Sequence, residues 1–181
     1  SQIAGQVSGD PDVPAQLGPY PVVGRPMTFG VSAALEAMAQ AGLDATLDIP
    51  PSRRAVVAAG GFDDQMLVMM ARGVDTILPS GEYSFESVDA DSLVSAMQGA
   101  ETLREMARYS QVQLMQAVAH EAGAQQALLV STACAGGSTA LGDAISMIRR
   151  GEVDMVVCVG VDTLITREMM GGFCNLAALS T

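Results

Sequence analysis

A short apolar run, Ala127 to Val130, breaks at Ser131-Thr132-Ala133 and gives way to a proline-free stretch, Ala135 to Arg150, with apolar residues at helical spacing. The period changes from that of a buried strand to that of a helix within a few residues, which confines this part of the chain to a strand, a turn and a helix. Cys134 falls at the junction. A first helical turn has unpaired N–H groups and the positive end of the macrodipole, so a thiolate there is favoured over a thiol. Ala135, Gly136, Gly137 and Ser138 put no bulk around the sulfur. Two glycines in a first turn cost on the order of 1 kcal/mol each against alanine, so the expected reason for them is close approach of a substrate carbonyl or of another backbone. A cysteine packing as a small buried hydrophobe is the commoner role of the residue type. Cys158, inside the run Val156 to Val161, and Cys174 are read that way.

The rest of the chain arranges itself around this unit. Residues 1–26 concentrate Pro11, Pro14, Pro19, Pro21 and Pro26 among Gly5, Gly9, Gly18 and Gly24, and read as an irregular surface segment. Residues 27–181 read as an α/β core. Met27 to Ala41 has a helical pattern stopped by Gly42; Arg54 to Ala59 is a buried strand ending at Gly60-Gly61. That glycine pair lacks the further glycines and lysine of a phosphate loop, and no ligand role is assigned to it. Gln65 to Arg72, Leu93 to Met97 and Leu103 to Ala122 are expected helices, and Asp154 to Val161 a second strand after the cysteine. Strands alternating with helices argue for an α/β layer, here a mixed sheet sandwiched by helices.

Composition narrows the chemistry. The net charge of −11 argues against nucleic acid or an anionic membrane as partner, and all nine basic residues are Arg. Without lysine there is no P-loop and no Schiff base. The three cysteines, 24 and 16 residues apart, have neither Cys-x-x-Cys spacing nor histidine partners, so no metal site is expected and a reduced, cytoplasmic setting is the default. No apolar run reaches the ~20 residues of a membrane span. His120, the one histidine, lies near the end of a helix, where a surface position favoured by the dipole is expected.

Three stretches resemble the nucleophile region of the β-ketoacyl-acyl-carrier-protein synthases, condensing enzymes of the thiolase-like superfamily. They are Ser131-Thr-Ala-Cys134-Ala-Gly-Gly-Ser-Thr-Ala-Leu-Gly142, Ile148-Arg-Arg-Gly-Glu-Val-Asp154 and Gly171-Gly-Phe-Cys-Asn-Leu-Ala-Ala-Leu-Ser-Thr181. The resemblance is evenly spaced from Ser131 to Thr181 and weaker upstream. It implies a thiolase-like α/β fold, with this chain forming one half of a duplicated architecture. It also implies decarboxylative Claisen condensation in fatty-acid or polyketide synthesis without a cofactor, an acyl carrier protein as partner, and a homodimer. Cys134 is then the acylated nucleophile, Phe173 after Gly172 lines the acyl pocket, and Arg149, Arg150 and Arg25 are candidate contacts for the acidic carrier. The family's arginine after the phenylalanine is Ala177 here. The resemblance further implies a first strand ahead of Ser1, and two histidines (or a histidine and an asparagine) with a lysine beyond Thr181. The chain therefore reads as an internal piece of a condensing enzyme. Other readings stay open: a non-catalytic partner subunit, which retention of Cys134 disfavours, or another acyltransferase of the superfamily. A cysteine hydrolase lacks its local histidine and acid.

Overall fold

The computed structural model describes residues 7–43, 48–60, 91, 111–165 and 167–179. Two short antiparallel strands, β1 (Gln16–Leu17) and β2 (Tyr20–Pro21), precede α1 (Arg25–Gln40) and β3 (Arg54–Ala59). Then come α2 (Gln111–Glu121), β4 (Gln126–Val130), α3 (Gly136–Arg149), β5 (Met155–Gly160) and α4 (Arg167–Asn175). The expected helices at Gln65 to Arg72 and Leu93 to Met97, and residues 103–110 of the third, lie outside the described residues.

Three strands make the central sheet in the order β4-β3-β5. Both pairings are parallel, with Val57 opposite Leu128 on one side and Cys158 on the other. Among the described residues the core sheet is parallel, and the antiparallel pair β1-β2 stands apart from it. Parallel strands covered on both faces read as unbroken apolar runs, and Ala55 to Ala59 is buried throughout.

The order has a direct consequence for the layers. From β3 the chain steps outward to β4 by way of α2, then crosses back over β3 to β5 by way of α3. Crossovers are right-handed almost without exception, so travel in opposite directions places the two helices on opposite faces. Val56 and Ala58 pack with Val31, Ala34, Leu114 and Val118 of α1 and α2. Ala55, Val57 and Ala59 pack with Ala140, Ala144 and Met147 of α3. The side-chain period of two divides β3 between two aliphatic cores. Each fully buried valine contributes about 1.5–3 kcal/mol by leaving water.

Local signals set the element ends. Pro26 sits in the first turn of α1, where its missing N–H costs nothing. The helix stops at Gly42, whose φ of +69° lets Leu43 N–H reach the Met38 carbonyl at 2.9 Å. The segment read as irregular surface also holds β1 and β2, and it sends Leu17 into the core.

At the start of the sheet, Arg53 ties β3 to the far end of α3. Its guanidinium donates to both carboxylate oxygens of Asp154 and to the carbonyls of Gly151 and Glu152. The hydrogen bonds from Arg53 hold the Asp154 carboxyl below its ordinary range, and Arg150 does the same to Glu152. Among the described residues no helix is long and apolar enough to cross a membrane.

Candidate active site

Ligands of open α/β sheets bind beyond the carboxyl ends of the strands, at the point where successive connections leave in opposite directions. In this sheet that point lies over β3, between β4 and β5. A cavity of about 220 Å3 occupies it, lined by Ala59 and Gly60 at the end of β3, by Ala133, Cys134, Gly136 and Gly137 after β4, and by Gly160, Val161 and Asp162 at the end of β5. All three strands therefore deliver residues to the space beside the thiol.

The thiol is carried on a turn rather than on the helix proper. Ala133–Ala135 forms one 3-10 turn, and α3 begins at Gly136, slightly later than the apolar spacing predicts. Ala133 has φ +46°, the left-handed region that alanine rarely enters. The chain reverses sharply there and leaves Cys134 exposed at the mouth of the cavity. The positive end of the α3 dipole lies immediately behind it.

The glycines around the thiol now have separate reasons. A Cβ on Gly60 would come within 2.6 Å of Gln111 Nε2 and 2.9 Å of the Val161 carbonyl oxygen, so only glycine lets β3 end between α2 and β5. A Cβ on Gly160 would stand 3.4 Å from the Gly137 Cα, because α3 enters against the end of β5. A Cβ on Gly137 itself would meet nothing within 4 Å, so this glycine leaves space open. Of the two glycines expected to allow close approach, Gly136 is buried, with a Cβ position 3.4 Å from the Ala59 Cβ, and Gly137 leaves room at the cavity.

A match to the family model for the β-ketoacyl synthase N-terminal domain extends over residues 23–181. The chain belongs to this family. Ketosynthase domains are the condensing-enzyme class with a thiolase-like α/β fold, and the helices and parallel sheet described above fit that architecture. The match covers Cys134, the residues lining its cavity and all of α4.

The other cysteines of this ketosynthase domain differ from one another. Cys158 is half-buried on the α3 face of β5, and burial pushes its thiol above the ordinary range. Cys174 is exposed on α4, which corrects its reading as a buried hydrophobe. Sequence pattern could not place it, since the glycines before it blur the apolar face.

Other candidates are not brought to the thiol. Gly172 is exposed and Phe173 half-buried on α4, and neither lines the 220 Å3 cavity. Arg149 and Arg150 end α3, and a 14-residue helix is about 21 Å long, so they lie at the opposite end of the sheet from Cys134. Arg150 is paired with Glu152 at 2.6 Å. Arg25 pairs with Asp10 at 3.0 Å, donates to the Val7 carbonyl and lies 5.2 Å from the Phe29 ring centre. His120 is at the far end too, near Ala122, whose carbonyl accepts from Arg54 at the start of β3. It is exposed, edge-on to Tyr20, and is no partner for Cys134.

Sequence reasoning passed over two groups at the site. Gly60 belongs to the wall of the cavity although its loop was assigned no ligand role. Asp162 lines both this cavity and an adjoining one of about 450 Å3 formed with Arg25, Phe29, Ala33, Leu164 and Ile165. The available signal was its position two residues beyond a parallel strand.

Proposed function

We propose that Cys134 is the acyl-accepting nucleophile of a β-ketoacyl-acyl-carrier-protein synthase. The observation that carries this reading is an exposed thiol on a strained turn, opening into a cavity at the carboxyl ends of three parallel strands, within the ketosynthase match. In the first step the Cys134 sulfur attacks the thioester carbonyl of an acyl carrier. A carbon–sulfur bond forms to the enzyme, and the carrier thiol leaves with the proton. In the second, malonyl-carrier protein loses carbon dioxide, and the resulting carbanion attacks the enzyme thioester and expels the Cys134 thiolate. The Cys134 N–H, ahead of α3, is our candidate oxyanion donor in both attacks.

The partners follow from the same reading. The carrier protein is acidic, and its delivered thioester enters at the strand ends rather than at Arg149 and Arg150. A second copy of the chain pairs along β4, one of the two outer strands of the described sheet, where Leu128 and Leu129 are 46% and 37% exposed. Leu141, Ile145 and Ile148 form an exposed apolar stripe on α3, a fitting surface for the second half of the duplicated fold.

A partner subunit without catalysis is the competing reading. The test is acyl loading from an acyl-carrier thioester, followed by intact-mass spectrometry. The native protein gains the acyl mass and Cys134→Ala does not. Loading of Cys134→Ala at the native rate overturns the assignment. Cys134→Gln, whose amide carbonyl imitates the loaded thioester, is expected to release labelled carbon dioxide from malonyl-carrier protein in the complete enzyme.

A further inference from the structure

We propose that Thr139 is a positioning residue for Cys134, acting with Thr132 as a hydroxyl latch across the nucleophile turn. The inference rests on the reading of Cys134 as the acylated thiol. The Thr132 hydroxyl donates to Thr139 Oγ1 at 3.0 Å, and the Thr139 hydroxyl donates to the Ala135 carbonyl at 3.0 Å. A backbone bond closes the loop, from Ala135 N–H to the Thr132 carbonyl at 3.1 Å. Thr132 and Ala135 stand on the two sides of Ala133-Cys134. One side chain in the first turn of α3 therefore grips both ends of the segment that carries the sulfur.

A threonine inside a helix commonly returns its hydroxyl to the carbonyl four residues back, with no wider consequence. Here the same oxygen also accepts from a residue outside the helix. The turn also contains something that must be held. Ala133 at φ +46° persists only because its surroundings over-determine it, and the hydroxyl bridge adds a side-chain contact between the flanks of that residue to the backbone bond from Ala135 to Thr132. Both Ala133 and Cys134 line the cavity, so the angle at Ala133 sets where the sulfur enters it.

Acyl transfer is sensitive to that placement, because a displacement of about 1 Å from the attack geometry costs on the order of a hundredfold. Alkylation by a small, freely diffusing reagent is not bound to one approach. The two reactions therefore separate a positioning role from a general effect on the thiol or on folding.

The experiment uses the full-length protein with Thr139→Val, which keeps the side-chain shape and removes the hydroxyl, and with Thr139→Ser and Thr132→Val. Three quantities are measured. They are acylation of Cys134 by a short acyl thioester of N-acetylcysteamine, alkylation of Cys134 by iodoacetamide, and the Ala133 amide-to-α-proton coupling by NMR. Thr139→Val is expected to slow acylation about tenfold, the rate equivalent of one neutral hydrogen bond. Alkylation stays within about twofold of native, the Ala133 coupling shifts, and Thr139→Ser restores both acylation and coupling. Thr132→Val reproduces the loss, and the double variant loses no more than either single one, since both remove the same bridge. Native acylation by Thr139→Val overturns the proposal, as does a parallel loss of acylation and alkylation. If the native protein alkylates but is never acylated, the condensing-enzyme reading fails. The latch then stands or falls on the Ala133 coupling alone.

Discussion

Replacing Ala133 by glycine is expected to make the protein more stable and less reactive at once. Ala133 occupies the left-handed region at φ +46°, a conformation that costs an L-residue roughly 1–2 kcal/mol. Glycine removes that strain but adds freedom to the unfolded chain worth about 0.4–1 kcal/mol. The difference leaves a net gain of about 0.5–1 kcal/mol, or about 1–4 °C in Tm for a chain of this size. Ala177 provides the control. It has φ +51° at the end of α4, where its N–H reaches the Cys174 carbonyl and the Ala178 N–H reaches the Phe173 carbonyl, both at 3.0 Å. This is the helix ending that glycine usually serves. Ala177→Gly carries the same balance of strain and entropy on a different element from the nucleophile turn. Calorimetry on both variants is expected to show similar gains. Acylation from an acyl thioester is expected to fall several-fold in Ala133→Gly alone, because a glycine turn holds the sulfur over a wider range of directions. A lower Tm for Ala133→Gly beside a higher one for Ala177→Gly would refute the strain argument. A higher Tm with native acylation would show that the turn need not be held.

The cysteines are expected to label unequally: at neutral pH iodoacetamide modifies exposed Cys134 and Cys174, whereas Cys158 requires pH above the ordinary thiol range because burial keeps it protonated. Peptide mapping reads this, and prompt labelling of Cys158 would count against its packing under α3. The carboxyls of Asp154 and Glu152 are depressed, so their contribution is present above the ordinary carboxylate pKa of about 4 and lost as pH falls through the lower folded values. Denaturant titrations from pH 6 to pH 2 are expected to show an acid-side loss of stability that is smaller in Asp154→Asn, which is already weaker at pH 6. Leu129→Asp, placing charge on β4, is expected to weaken the dimer proposed along that strand and raise the monomer fraction in sedimentation, and a dimer left unchanged would exclude β4 from the interface.

Much of the scaffold was legible from local pattern. Arg54 to Ala59 is a strand with the bounds that its apolar run prescribes. The strand–turn–helix around Cys134 shifts by only a residue or two, because a change of hydrophobic period and a pair of glycines are properties of neighbouring residues. The place of Cys134 at a strand-to-helix junction could be read there too. The order β4-β3-β5 could not, since pairing depends on which strands meet across long separations. The same limit explains Arg25, which looked available in sequence yet is brought by the fold to Asp10. It explains Cys174 too, whose exposure depends on what α4 meets rather than on its own glycine-rich spelling. Residues at the site show the division most clearly. Sequence alone determined that a small, glycine-flanked cysteine stands before a helix. Only the tertiary structure decided that Gly60 and Asp162 share its cavity, because that requires the carboxyl ends of three strands to converge on one turn.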